Sequence, residues 1–281
     1  FINFNGTAGI WRKTCIYDAG NWEGDTLTED LDLSYRAQLK DWKFKYLEDV
    51  ETPAELPVVI SAARSQQFRW NKGGAENFRK SVWSVLKAKN ISFRTKFHGV
   101  MHLLNSSMFL CVFLVSMLSI PMLYIKHRNP ELAWIFFATS FFTLSTVIFF
   151  ICYWFTYKSV QGSGFGKFVK YIRLFFTFFS VVLGFSLHNT LAVIEGHIGK
   201  RSEFVRTPKF NIKTIKDGWK GKRYLAKKIS PHTIIEFLLM LYFLFGMYSA
   251  IPLEDFGLFP FHLMLFIGFS YVLAKSLSDK V

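Results

Sequence analysis

Two short stretches decide how this chain is read. They are Thr28-Glu29-Asp30-Leu31-Asp32-Leu33 and, downstream, Gln66-Gln67-Phe68-Arg69-Trp70. After the first, Leu31, Tyr35 and Leu39 recur on one stripe, so Asp25–Thr28 leads into a helix reaching about Lys40, with Asp30 at its N-terminal tip. In the second, Gln66, Arg69 and Trp70 stand at i, i+3 and i+4 and share one face of a helix expected over Val59–Trp70, broken by Gly73-Gly74. Outward from these, Phe1–Phe4 and Gly9–Arg12 read as strand ends around the tight corner Asn5-Gly6-Thr7, where Gly6 permits positive φ or a close backbone approach. A short helix is expected over Lys13–Ala19, ended by Gly20, and Lys43–Val50 alternates like a strand. Pro53 and Pro57 bracket a loop around Glu55. Residues 1–93 therefore read as a charged α/β region.

The remainder is of another kind. The 281 residues are 51% hydrophobic and 19% aromatic, too apolar for an ordinary soluble domain. Long apolar segments run over Leu103–Ile125, Leu132–Tyr157, Tyr171–Ile194, Ile234–Ile251 and Phe256–Ala274. Helices of roughly 18 or more such residues cross ~30 Å of hydrocarbon. The net charge of +14 crowds the flanks of these segments, which fits anionic lipid rather than nucleic acid. Ala75–Lys89 is a basic amphipathic helix expected to lie in the membrane interface, with Phe78, Val82, Val85 and Leu86 on its apolar face. Cys15, Cys111 and Cys152 have no metal or redox spacing and read as packing residues.

Charge also constrains topology. Residues 195–233 carry eleven Lys/Arg against three acids, which puts them on the same cytoplasmic side as residues 1–93. An even number of crossings must separate the two. Tyr171–Ile194, with Arg173, Ser186, His188, Asn189 and Thr190, is the most polar long segment and is read as an interfacial or re-entrant helix. Four crossings and a cytoplasmic C-terminus follow.

Each pattern has a plain explanation beside a chemical one. Asp30, among Asp25, Glu29 and Asp32, suits a helix N-terminus by its charge alone, and Thr26-Leu27-Thr28-Glu29 fits a capping box. It also suits a general base that takes a proton from an attacking hydroxyl. Arg69 and Trp70 could simply mark a membrane boundary. Alternatively Arg69 pairs with a diphosphate, Trp70 offers a platform to a sugar ring and Gln66 hydrogen-bonds hydroxyls. Asp30 and Asp32 diverge by about 200° on a helix and are rejected as a metal-binding Asp-x-Asp. His188 reads as a packing residue and Glu55 as a loop residue.

Taken together, the chain resembles the family 2 glycosyltransferases of the cellulose synthase superfamily, and within it the cellulose synthase-like branch that makes β-1,4-mannans and the glucan backbone of xyloglucan. The resemblance rests on Phe4-Asn5-Gly6-Thr7-Ala8-Gly9-Ile10-Trp11-Arg12, Asp18-Ala19-Gly20, Thr28 through Leu33 with Arg36-Ala37, Asp41-Trp42-Lys43, Glu55-Leu56-Pro57 and Gln66 through Trp70. Phe204-Val205-Arg206-Thr207-Pro208-Lys209 further resembles the family's Phe-x-Val-Thr-x-Lys gating loop, with Arg206 in place of the Val.

The resemblance implies a GT-A-like domain, of which 1–93 is the C-terminal, acceptor-side part with an interface helix. It is followed by a transmembrane domain, 94–281, with a cytoplasmic gating-like loop, 195–233. It implies that Asp30 is the catalytic base of an inverting transfer. Thr28, Glu29, Gln66, Gln67, Arg69, Trp70, Asn5, Gly6 and Thr7 would bind substrate, and Phe204, Thr207 and Lys209 would gate the site. It implies a divalent metal, Mg or Mn, whose ligands are expected upstream of residue 1 in a missing nucleotide-binding half. The chain is thus expected to be an N-terminally truncated fragment, inactive alone. UDP-glucose and GDP-mannose are both open as donors, with a glycan acceptor, the lipid bilayer as partner and no nucleic acid. The expected product is a β-linked polysaccharide carried through a plasma (inner) membrane. The alternatives are a non-processive family 2 transferase acting on a lipid or short glycan and, more remotely, a transporter with a cytoplasmic accessory domain. The last is disfavoured because no acid–base pair stands out within the apolar segments.

Overall fold

The structure is a computed structural model that describes residues 1–205 and 231–278. Eleven α-helices carry the described fold. The chain divides into two compact units, one built from Phe1–Val112 and the chain returning at Ser186, the other from Phe113–Phe185 and the last two long helices.

In the first unit, α1 (Lys13–Asp18) and α2 (Glu29–Leu39) come where the apolar spacing put them. One face of α2 contributes Leu33 and Ala37 to a cluster with Cys15 and Ala19, flanked by Trp11, Ile16, Trp42 and Phe44. Its other face gives Leu31 and Tyr35 to a second cluster with Val85 and Leu103. The Tyr35 hydroxyl donates to the Gly99 carbonyl at 3.0 Å and lies 2.7 Å from His102 Nδ1, while its ring stacks on Phe1 at 4.5 Å. Burying side chains of this size contributes about 1.5–3 kcal/mol each, so α2 is anchored on both sides.

The expected α/β character does not appear: among the described residues there is no strand. An extended segment becomes a strand only by pairing its backbone, and here side chains of α2 take up those groups. Phe4 N–H donates to Ser34 Oγ at 3.0 Å, and the Gln38 amide brackets Ile2, accepting from its N–H at 2.8 Å and donating to its carbonyl at 2.6 Å. Residues 43–50 likewise run without a ladder.

The expected break at Gly73-Gly74 is also absent. α3 runs unbroken over Ile60–Lys87, joining what read as two helices. The glycines serve close packing instead: a Cβ at Gly73 would come within 2.8 Å of Thr28 N. In the second half of α3, Val82 and Val85 of the expected apolar face are buried, together with the polar Glu76, Asn77 and Ser81. α4 (Phe93–Leu103) folds back on α3, its N-cap Ser92 accepting from Thr95 N–H at 3.2 Å.

The apolar segments form α5 (Met108–Arg128), α6 (Ala133–Thr139), α7 (Thr143–Gln161), α8 (Phe165–Gly184), α9 (Ser186–Ile198), α10 (Pro231–Ser249) and α11 (Phe259–Ser278). Four continuous helical stretches are long and apolar enough to cross a membrane: Asn105–Arg128, Pro130–Gln161, His232–Ser249 and Phe259–Ser278. The segment expected to stay out of the spanning set is the exception, divided into α8 and α9 with a 52° bend; counting that pair as one span would make five. α9 packs along α3 in the first unit. His188 Nε2 there lies 2.9 Å from the Arg64 carbonyl, a packing histidine as read.

The second unit is laced by polar contacts in an apolar setting, where interhelical hydrogen bonds act as glue. Ser119 Oγ meets His262 Nε2 at 2.8 Å, Tyr242 donates to the Met117 carbonyl at 2.6 Å, and the Tyr124 and Ser249 hydroxyls lie 3.0 Å apart. Glu236 and His262 are ionisable groups buried in this unit.

Candidate active site

The site is built where α2 begins. Thr28, not Thr26, is the N-cap, and its side chain makes no capping bond, so the expected capping box does not set the helix start. α3 does. Asn77 Nδ2 lies 3.0 Å from both the carbonyl and Oγ1 of Thr28, 3.0 Å from the Gly73 carbonyl and 3.3 Å from Thr26 Oγ1. One residue before it, Glu76 Oε2 accepts the Leu27 N–H at 2.8 Å. Two buried polar side chains of α3 thus grip the backbone that delivers Glu29 and Asp30.

Asp30 itself is half-buried. Its Oδ1 accepts the Leu31 N–H at 2.8 Å, and Ser34 Oγ donates to its carbonyl at 2.6 Å. Burial raises its carboxyl above the ordinary range. The Leu31 N–H opposes that shift, Glu29 adds to it, and Arg69 counters more weakly. The corner Asn5-Gly6-Thr7 is folded against this carboxylate: Gly6 has φ +71°, and a Cβ there would sit 2.9 Å from Asp30 Oδ2. Asn5 and Thr7 are exposed beside it.

α3 presents Arg69 within electrostatic reach of Asp30; burial lowers its guanidinium pKa, and the charges of Glu29 and Asp30 work against that. Its guanidinium lies 4.6 Å over the Phe204 ring. Gln66 and Gln67 are half-buried on the same turns, and Trp70 is 51% exposed. The structure therefore brings Asp30, Glu29, the Gly6 corner, Arg69 and Phe204 into one neighbourhood. The Thr28 hydroxyl is engaged with Asn77, and Thr207 and Lys209 lie outside the described residues.

The metal implied by the resemblance was tested against the acidic groups present. Glu23, Asp25 and Asp32 bring carboxylate oxygens within 4.8 Å of one another. Lys80 Nζ already sits among them at 2.7, 2.7 and 3.1 Å, and Arg36 pairs with Asp32 at 2.7 Å. Burial works against the Lys80 charge, but the bonds to Asp25, Glu23 and Asp32 outweigh it and raise the ammonium above its usual value. An ammonium occupies the position a metal ion would need, so these residues do not fit the group.

Comparison with known proteins places the chain in a family. The family model described as "Glycosyl transferase family group 2" matches residues 4–157, more than half of the chain. The chain belongs to that family. It is 51% identical over 98 residues, 35% of its length, to "Probable glucomannan 4-beta-mannosyltransferase 7" of Oryza sativa subsp. japonica, covering 17% of that protein. A longer match, 34% identical over 172 residues, covers 58% of this chain and 30% of "Probable glucomannan 4-beta-mannosyltransferase 6" of the same plant. "Glucomannan 4-beta-mannosyltransferase 2" of Arabidopsis thaliana is 46% identical over 100 residues, 36% of this chain and 19% of the relative. The matched stretches thus span less than a third of these relatives. No solved structure matches.

Reading by spacing missed Glu76 and Asn77, because they act on residues far away in sequence. A signal was present: Lys72, Glu76 and Lys80 recur four residues apart and so share one side of α3.

Proposed function

We propose that this chain is the acceptor-side and membrane part of an inverting glycosyltransferase that extends a β-linked polysaccharide at the cytoplasmic face of a membrane. Asp30 within electrostatic reach of Arg69, with the Gly6 corner against its carboxylate, is the observation that carries the reading. In this reading residues 1–93 form the acceptor-side part of the catalytic domain and 94–281 the membrane domain. The basic stretch 195–233 supports a cytoplasmic catalytic side.

Asp30 accepts the proton of the acceptor sugar's hydroxyl as that oxygen attacks the anomeric carbon of the donor. The nucleotide diphosphate departs from the opposite face, so configuration inverts. Burial suits Asp30 to this work, because a carboxylate held above its ordinary pKa is a stronger base once ionised. Arg69 offsets charge gathering on the departing diphosphate, as a planar guanidinium does well. Half-exposed Trp70 supplies an apolar face for a sugar ring, and Gln66, Gln67 and Asn5 supply hydrogen bonds to its hydroxyls. The names of the relatives favour a mannosyl donor, GDP-mannose over UDP-glucose, and a β-1,4 linkage.

The test is product analysis with the full-length protein in membranes. Radiolabelled GDP-mannose is expected to give a ladder of long β-mannosidase-sensitive chains. A single added residue would overturn the polymerase reading. Incorporation from UDP-glucose alone would overturn the donor.

A further inference from the structure

The described chain buries one lysine completely, and neither the family resemblance nor the proposed chemistry uses it. Lys72, at 0% exposure, follows Trp70 on α3 by two residues and turns inward. Its ammonium meets Glu195 Oε2 of α9 at 2.9 Å and Ser202 Oγ at 2.5 Å, and lies 5.5 Å over the Phe68 ring. Glu195 also holds Lys200 through its other oxygen at 2.5 Å. A buried ammonium is costly unless paired and hydrogen-bonded, and removing one partner leaves the other uncompensated. Here the pairing joins three pieces of chain: α3 two residues past Trp70, the end of α9 and the segment leaving it. Two residues beyond Ser202, Phe204 lies against Arg69, one turn of α3 from Lys72. The segment is thus held to α3 at two points, a buried charge and a ring under a guanidinium.

We propose that Lys72 is a positioning residue that, through Glu195 and Ser202, holds the 199–205 segment against α3 and so sets the placement of Arg69 beside Asp30. Ser202 is exposed apart from this contact and nothing else described fastens it, so the lysine supplies the order. The inference rests on the functional reading above for its kinetic consequence, but the latch is a matter of geometry and can be tested alone.

The experiment uses the full-length protein in nanodiscs, with exposed Cys111 and Cys152 replaced by Ser and spin labels at positions 83 and 203. Lys72→Met is expected to broaden the label–label distance distribution and to lower mannosyl transfer from GDP-mannose about tenfold or more. Glu195→Gln is expected to act in the same direction. The double variant should be no worse than Lys72→Met, because removing both charges leaves neither unpaired. An unchanged distance distribution in Lys72→Met, or single losses that multiply in the double variant, overturns the proposal. Should Lys72→Met not fold, Ser202→Ala decides: it alters an exposed residue, and broadening supports the latch while an unchanged distribution refutes it. If the unaltered protein transfers no hexose, the functional reading fails while the distance measurement still reads the latch.

Discussion

Helix α3 carries two regions that differ in what their polar groups do. From Asn71 to Asn77 every residue is buried, and the polar side chains are spent inside the protein: Lys72 on Glu195 and Ser202, Glu76 on Leu27, Asn77 on Thr26, Thr28 and Gly73. From Gln66 to Trp70 the side chains are half-buried or exposed, and one of them, Arg69, acts electrostatically on the half-buried Asp30 carboxylate. In the proposed reading the first region fixes geometry and the second meets ligand. A catalytic site needs both, since groups held only loosely lose the advantage of orientation.

The sharpest way to break this division is to change the open region. Arg69→Ala is expected to lower transfer about 10²-fold or more, in line with losing one aimed charge at a departing group, with Tm little changed. Arg69→Lys should recover only part of this, because an ammonium lacks the planar fork. Assays of transfer alongside thermal unfolding check both. A large loss of stability would place Arg69 among the holding residues.

Asn77→Leu tests the closed region. It removes the amide that bonds Thr26, Thr28 and Gly73, and stability should fall by about 1–3 kcal/mol. Transfer should fall with it, since the Thr28–Asp30 backbone is released. Calorimetry on the full-length protein reads the first effect and initial rates read the second.

Trp70→Ala should shift stability by less than about 0.5 kcal/mol, as for exposed substitutions generally. Acceptor KM should nevertheless rise several-fold. A variant that loses stability and keeps its acceptor KM would assign Trp70 to packing. The gentlest probe is pH. Burial raises the Asp30 carboxyl, and its base form is the working one. Transfer should therefore rise as pH climbs through a value above the ordinary Asp pKa of ~3.9. An acid limb at or below that value would contradict the burial.

Much of this was legible in the sequence, for identifiable reasons. α1, α2 and the long apolar segments announce themselves through local periodicity, which needs no knowledge of neighbours. The pairing of Asp30 with Arg69 as neighbours was legible because both sit at short, specific patterns. What escaped depends on long-range partners. Gly73-Gly74 reads as a breaker, yet α3 continues because Thr28 packs where a side chain would have stood. Residues 1–12 and 43–50 have strand-like patterns, but strand formation needs a paired backbone, and side chains of α2 satisfy Phe4 and Ile2 instead. The engagement of Glu23, Asp25 and Asp32 likewise depends on a distant partner, Lys80, which reaches back to all three.

Asp30→Asn tests the central claim most directly, because chemistry and stability should move apart. A carboxyl raised by burial stabilises the fold when protonated, and that contribution is lost as pH rises through its folded value. At neutral pH the neutral amide should therefore hold Tm steady or raise it, while transfer by the full-length protein falls about 10²–10⁴-fold, the range for losing a general base. Transfer retained within a few-fold in a well-folded Asp30→Asn protein would contradict the account.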